Sequence, residues 1–170
     1  ARGLAERGLS VTGVDPAAEL LKEAAALDAK AGVSVSYRQG SAEALPMGDE
    51  SFDIVTAGQC WHWFDRPKAA AEAARVLKPG GRVVIAHFDW LPLSGNVVEA
   101  TEALILAFNP RWTMADGDGI YPAWLRDLAQ ASFSGLETFS FDVSVPYSHE
   151  AWRGRIRASA GAKASMSEGK

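Results

Sequence analysis

A chain of 170 residues with 17 Lys and Arg against 21 Asp and Glu carries a net charge of −4, which gives no reason to expect nucleic acid or an anionic membrane as partner, since both call for a basic face. With 48% apolar and 22% charged residues it has the composition of a globular protein, and its length suits one core, since domains commonly run to about 150 residues. The single cysteine, Cys60, excludes an intrachain disulfide and a cysteine-built metal site.

That cysteine count fits a reducing cytoplasm. No apolar run approaches the roughly 20 residues of a membrane span, and "ARGLAERG" has no signal-peptide pattern.

Ala1 to Gly8 reads as a helix, with Leu4 on one face and Gly8 as the stop. "LSVTGVD" is a short β-branched run ending at Asp15. Pro16 then opens a helix in which Leu20, Leu21, Ala24 and Leu27 recur at helical spacing up to Gly32. "VSVSYRQG" alternates as a second strand, and "SAEALPMGDES" is a polar turn with weak helical character. "FDIVTAG" is a third strand. Asp65 stands where an N-cap belongs for "RPKAAAEAARVL", "KPGG" turns the chain, and "RVVIAHF" is a fourth strand. Alternating helices and apolar strands predict an α/β fold: a doubly wound, mostly parallel, Rossmann-like sheet with helices on both faces.

After Trp90 the rhythm changes. "NVVEATEALILAF" is helical and "NPRWTMADGDGIYP" irregular; together 91–121 reads as a lid-like helical insertion over one end of the sheet. A helix at 121–133, an alternating strand at 136–148 and a basic helix at 149–160 follow. The expected organisation is one domain: a cofactor-binding core over 1–90, the lid over 91–121, and a helix–strand–helix over 122–170.

In open α/β sheets ligands bind beyond the carboxyl ends of the strands. That rule selects Asp15, the "GSAEALP" turn and "GQCWHWFD". Asp15 either accepts both hydroxyls of a ribose or caps the next helix. Ser41, Ala42 and Glu43 combine a small residue, a backbone N–H and a carboxyl, which suits an adenine edge or a plain surface turn.

"VTGVDPAAELLKEA", "GSAEALPMGDESFDIVTAG" and "EAARVLKPGGRVVIAHF" resemble, in order and spacing, the class I S-adenosylmethionine-dependent methyltransferases. The likeness is greatest to the small-molecule branch that includes the ubiquinone-biosynthesis and trans-aconitate enzymes. The "HWFD" is similar to the variant of the trans-aconitate-like group. The resemblance covers Ala1 to about Phe88, and it implies S-adenosyl-L-methionine as cofactor and a small-molecule substrate as methyl acceptor. It also implies a strand and a glycine-rich loop ahead of Ala1, and a closing antiparallel strand, none of which this sequence contains. By the same likeness Asp15 would hold the ribose hydroxyls, Pro16 would pack near the adenine, and Ala42 and Glu43 would line its edge, with Ser41 beside them. Gly58 and Gln59 would lie close to the sulfonium or the methionine portion.

Methyl transfer from a sulfonium needs alignment and a dry pocket more than strong acid–base chemistry. Aromatic faces suit that task and attract a cation. Trp61 and Trp63 therefore read as walls of the substrate site, and His62 as the catalytic group that takes a proton from a hydroxyl or amine acceptor. The plainer alternative is sheet-edge core with a satisfied histidine. His87, at the end of the fourth strand, is a second acid–base candidate on the substrate side. Trp112, Met114 and Tyr121 either touch substrate or pack the lid. Arg153, Arg155 and Arg157, spaced by two, cannot share one helical face and read as a solvated helix.

Two rivals remain. A nicotinamide-dependent oxidoreductase shares the strand-end Asp15 but leaves "GSAEALP" unexplained. A truncated, non-catalytic interaction domain accounts for the absent glycine loop.

Overall fold

The structure, a computed structural model, describes residues 1–158. The last two residues of the helix expected at 149–160, and the small polar tail after it, lie outside the described residues. In chain order the elements are α1 (Arg2–Ala5), β1 (Thr12–Asp15), α2 (Ala18–Lys30), β2 (Ser36–Gln39), β3 (Phe52–Gly58), a 3-10 turn at Trp61–Trp63, α3 (Arg66–Val76), β4 (Leu77–Ala86), α4 (Val97–Phe108), α5 (Pro122–Gln130) and α6 (His149–Ala158). The expected α/β alternation is there. The stretch 41–51 is turn rather than helix, because its Gly, Pro, Ser and Asp favour local hydrogen bonds over a helical ladder.

The strands pair in parallel, β1 with β2 and β3 with β4. Among the described residues no ladder joins the two pairs. Each pair is connected by one helix, α2 or α3, as parallel pairing requires. The β3–β4 register jumps: Phe52 faces Leu77, but Ile54 faces Arg82. The intervening "KPGG" is thus looped out of the ladder, with Gly80 at φ +79°, a conformation that costs glycine little.

Small residues bring these layers together. α3 buries Ala69, Ala70, Ala73 and Val76, and three alanines on one face let the helix approach closely. α5 adds Trp124, Asp127 and Leu128 to the buried set, and Arg66 Nε donates to Asp127 Oδ2 at 2.7 Å, tying α5 to the first turn of α3. On the other pair, Gly13 is required by its neighbour. A Cβ there would stand 2.5 Å from the Tyr37 ring. Lying over that glycine, Tyr37 donates its hydroxyl to Asp28 Oδ2 at 2.8 Å, while Arg2 Nε donates to Oδ1 at 2.8 Å. The Arg2 guanidinium, helped by Tyr37, holds the Asp28 carboxyl below its ordinary value against the opposing effect of burial. Burial and the adjacent carboxylate push the Tyr37 phenol up.

The chain divides into two compact units, Ala1–His87 with Pro122–Leu136, and Phe88–Tyr121 with the residues from Glu137 onward. In the second unit, α4 turns Thr101 and Glu102 inward together with Val98 and Ile105. The buried carboxylate is satisfied: Glu102 accepts Trp90 Nε1 at 2.8 Å and the Asp116 amide at 2.9 Å. Trp152 Nε1 donates to Thr101 Oγ1 at 3.2 Å. The three arginines of α6 are engaged locally. Arg155 lies 5.2 Å over the Trp90 ring and 5.9 Å over Tyr147, and Glu150 pairs with Arg157 at 2.7 Å and Arg153 at 3.8 Å. Tyr121 donates a short hydrogen bond to Asp89, and burial together with that carboxylate raises the phenol.

The strand expected at 136–148 does not form. Residues 137–148 are exposed and carry no ladder, with Phe139 at 85% exposure and Phe141 stacked on it. Period-two alternation gives a segment two faces, but a strand also needs a neighbour's N–H and C=O groups. Among the described residues none is paired with this segment.

Candidate active site at the strand carboxyl ends

The parallel ladders bring the carboxyl ends of the strands out on one side within each pair, and those ends are cross-linked. Asp15 is in register with Gln39. Its Oδ1 accepts the Ala17 amide at 2.8 Å, capping the entry to α2. Gln39 Nε2 donates to the Pro16 carbonyl at 2.9 Å, fixing the turn that follows β1. Asp15 is half-buried and Pro16 exposed. Burial first, and then the Asp15 charge, raises the Cys60 thiol in the turn that follows β3.

The Ser41–Glu43 turn is tied to that same turn. Glu43 Oε1 accepts the Asp65 amide at 2.9 Å. Burial would raise the Glu43 carboxyl, but hydrogen bonds from the Asp65 amide, its own amide and the Ser41 hydroxyl outweigh it and leave it below its ordinary value. Ser41 and Ala44 form an isolated antiparallel bridge that shapes the loop, with half-buried Ala42 inside it. Downstream, α3 fastens the loop. Glu72 accepts the Leu45 amide at 2.7 Å, and Arg75 donates to the Met47 carbonyl at 2.8 Å, the Leu45 carbonyl at 3.1 Å, Asp49 at 2.7 Å and Glu72 at 2.7 Å.

Beyond β3, Gly58 is exposed, and a Cβ built on it would meet nothing within 4 Å. Gln59 takes the left-handed conformation at φ 59°, which is costly for a residue with a side chain and is over-represented at functional sites. Its amide donates to the Ala86 carbonyl at 2.9 Å, which extends the ladder by one bond while the backbone turns the corner. The 3-10 turn then splits the aromatic cluster. Trp61 is 2% exposed and packs edge-on to Phe64 at 5.7 Å, whereas Trp63 is 63% exposed. The Trp61 indole N–H is buried without a hydrogen-bond partner among the described residues. The His62 ring lies 4.6 Å from Trp63 and 5.0 Å from His87, the latter edge-to-face. His87 in turn meets Trp124 edge-to-face at 5.4 Å. Asp65 occupies the cap position of α3, but its carboxylate takes Lys68 Nζ at 2.6 Å instead of a backbone amide.

The eleven leading candidates fall in the first unit, in two clusters, Asp15, Pro16, Ser41, Ala42 and Glu43, and then Gly58, Gln59, Trp61, His62, Trp63 and His87, whereas Trp112, Met114 and Tyr121 fall in the second. No local pattern singles out Trp124, Glu72 or Arg75. An Asp at position 127 on the otherwise apolar face of α5, one turn from Trp124, was the available signal, because a charge on a core face needs a partner. Among the described residues no group of three or more His, Cys, Asp or Glu could hold a metal ion, and no helix is long and apolar enough to cross a membrane.

An uncharacterised methyltransferase of Mycobacterium tuberculosis is 46% identical over 80 residues, covering 47% of this chain and 31% of that protein. The ubiquinone biosynthesis O-methyltransferase of Xanthomonas euvesicatoria is 33% identical over 162 residues, covering 92% of this chain and 64% of the enzyme. The crystal structure of the YcgJ protein of Bacillus subtilis superposes with a TM-score of 0.61 at 27% identity, over 91% of this chain and 64% of that one; the fold is Rossmann-like. The chain thus spans between about a third and two thirds of these relatives. The methyltransferase-domain family matches residues 1–85, from α1 through β4, and with half its length inside that match the chain belongs to this family.

Proposed function

We propose that this protein is an S-adenosylmethionine-dependent methyltransferase acting on a small-molecule acceptor in the cytoplasm. The observation that carries the reading is the hydrogen bond by which Glu43 holds the Asp65 amide at 2.9 Å, joining the turn after β2 to the turn after β3. That bond sets an acidic, hydrogen-bonding cluster beside an aromatic one.

The residues present suit such a donor. Asp15 is half-buried with one oxygen on the Ala17 amide; its second oxygen takes no hydrogen bond among the described residues and suits ribose hydroxyls. The direction of the missing Gly58 Cβ is open space, so the folded chain itself does not call for glycine there, whereas a ligand passing close to the backbone does. When bound, S-adenosylmethionine would supply an activated methyl group on a positively charged sulfur and would leave as a neutral thioether, with Asp15 placed to hold its ribose and Gly58 to let it pass close to the backbone. The remaining work falls to the protein. Trp63 offers an exposed ring face to a cation or an apolar acceptor. His62 accepts the acceptor's proton where the acceptor is a hydroxyl or amine, with His87 beside it.

Calorimetric titration with S-adenosylhomocysteine tests the reading. Micromolar binding is expected, weakened about 10–100-fold by Asp15→Ala, the cost of losing charge-assisted hydrogen bonds. A folded protein that binds none overturns the proposal and favours an interaction domain.

A further inference from the structure

We infer that Trp124 is a positioning residue for the His62–His87 imidazole pair. It follows from a closed circuit of contacts. His62 meets His87 edge-to-face at 5.0 Å, and His87 meets Trp124 edge-to-face at 5.4 Å. One helical turn further along α5, Asp127 takes Arg66 at 2.7 Å, and Arg66 stands four residues after His62. The circuit runs from the residue just past β4 through α5, α3 and the 3-10 turn and returns to its start.

An imidazole on a fixed Cβ still turns softly about its outer bond. Edge-to-face neighbours remove that freedom, because each ring edge prefers one approach to the other's face. His87 has such a neighbour on each side. Trp124 is itself buried, at 8% exposure, and it shares a helix face with buried Asp127 and Leu128, so burial confines the indole while the Arg66 bridge ties its helix to α3. The charged groups on the packed elements engage one another: Arg66 with Asp127, Asp65 with Lys68, and Glu43 with the Asp65 amide. Ring contact from the Trp124 side thus helps to orient the pair. Displacing a proton acceptor by about 1 Å can cost a hundredfold in rate, which is why a group that only touches His87 matters. What the imidazoles do rests on the methyl-transfer reading; that Trp124 orients them does not.

The chain has three histidines, His62, His87 and His149, so selective imidazole labelling gives three nuclear magnetic resonance signals, assigned by single His→Gln variants. His149, in the second unit, is the internal control. Trp124→Ala is expected to move and broaden the His62 and His87 signals together and leave His149 in place, and Trp124→Phe, which keeps an aromatic edge, to restore both. Movement of His87 alone, or no rescue by phenylalanine, overturns the inference. Should Trp124→Ala not fold, Asp127→Asn decides: it keeps the indole but loosens α5, and it must shift both imidazoles or the inference falls. Should the variants show these shifts while the wild-type protein binds no S-adenosylhomocysteine, the methyl-transfer reading falls and the positioning role stands.

Discussion

The carboxyl ends of the two strand pairs are built from different materials. Beyond β1 and β2 the side chains are carboxylates and an amide, and they are fixed by directional hydrogen bonds: Asp15 on Ala17, Gln39 on Pro16, Glu43 on Asp65. Beyond β3 and β4 they are indoles and imidazoles, set by ring contacts 4.6 to 5.7 Å between centroids. Hydrogen-bonded acids suit holding a polyhydroxyl ligand in one register. Rings suit a dry space in which one imidazole can accept a proton. On the proposed function the same parallel architecture presents a gripping half and a reacting half, and Glu43 Oε1 on the Asp65 amide is one link between them.

The largest effect is expected where the gripping half is itself held. Arg75 binds two loop carbonyls and Asp49 and also anchors Glu72, which it keeps below the ordinary carboxylate range. Arg75→Met preserves the aliphatic stem but strands the Glu72 carboxylate and two carbonyls. Thermal denaturation should show a greater fall in midpoint for Arg75→Met than for substitutions at Gly58 or Trp61. Affinity for S-adenosylhomocysteine should drop with it, and the His62 and His87 imidazole signals should stay put. If those signals move as well, the two halves are one unit and the division fails.

How much of this could be read beforehand depends on the kind of interaction. The four parallel strands of the first unit, the "KPGG" excursion and the strand-end positions of Asp15, His62 and His87 were legible, because periodicity and turn chemistry are local properties. The separation of the strands into two pairs was not, since a ladder depends on which backbones meet. The strand expected at 136–148 failed for the same reason: Phe139, Phe141, Val143 and Val145 alternate as a strand should, but no partner among the described residues pairs with them. Trp61 and Trp63 look alike in sequence, two residues apart, and only packing makes one core and the other surface. Glu72, Arg75 and Trp124 act across separations of about 25 to 40 residues, beyond any local pattern.

Gly58 sharpens the comparison at the junction of the halves. An alanine methyl there points into open space, and replacing glycine within a strand stabilises by about 0.5–1 kcal/mol where the backbone permits. Gly58→Ala should therefore fold at least as well as the wild type. Its affinity for S-adenosylhomocysteine should fall about tenfold, the equivalent of roughly 1.4 kcal/mol of steric conflict. Unchanged affinity would remove Gly58 from the donor's path and move the ligand toward the acidic half.

The smallest effect is expected at Trp61, and its sign is informative. The ring is buried and its N–H has no hydrogen-bond partner among the described residues. A buried donor left unpaired costs about 1–3 kcal/mol. Trp61→Phe deletes that donor together with the six-membered ring's overhang, and a void of that size destabilises by a comparable amount. The two terms oppose, so urea denaturation should place the variant within about 1 kcal/mol of the wild type. A ring that serves only as core can tolerate this exchange. A loss several times larger, or one that appears only in the presence of S-adenosylhomocysteine, would mean that the indole N–H is satisfied when ligand is bound. Trp61 would then join Trp63 on the reacting side of the molecule.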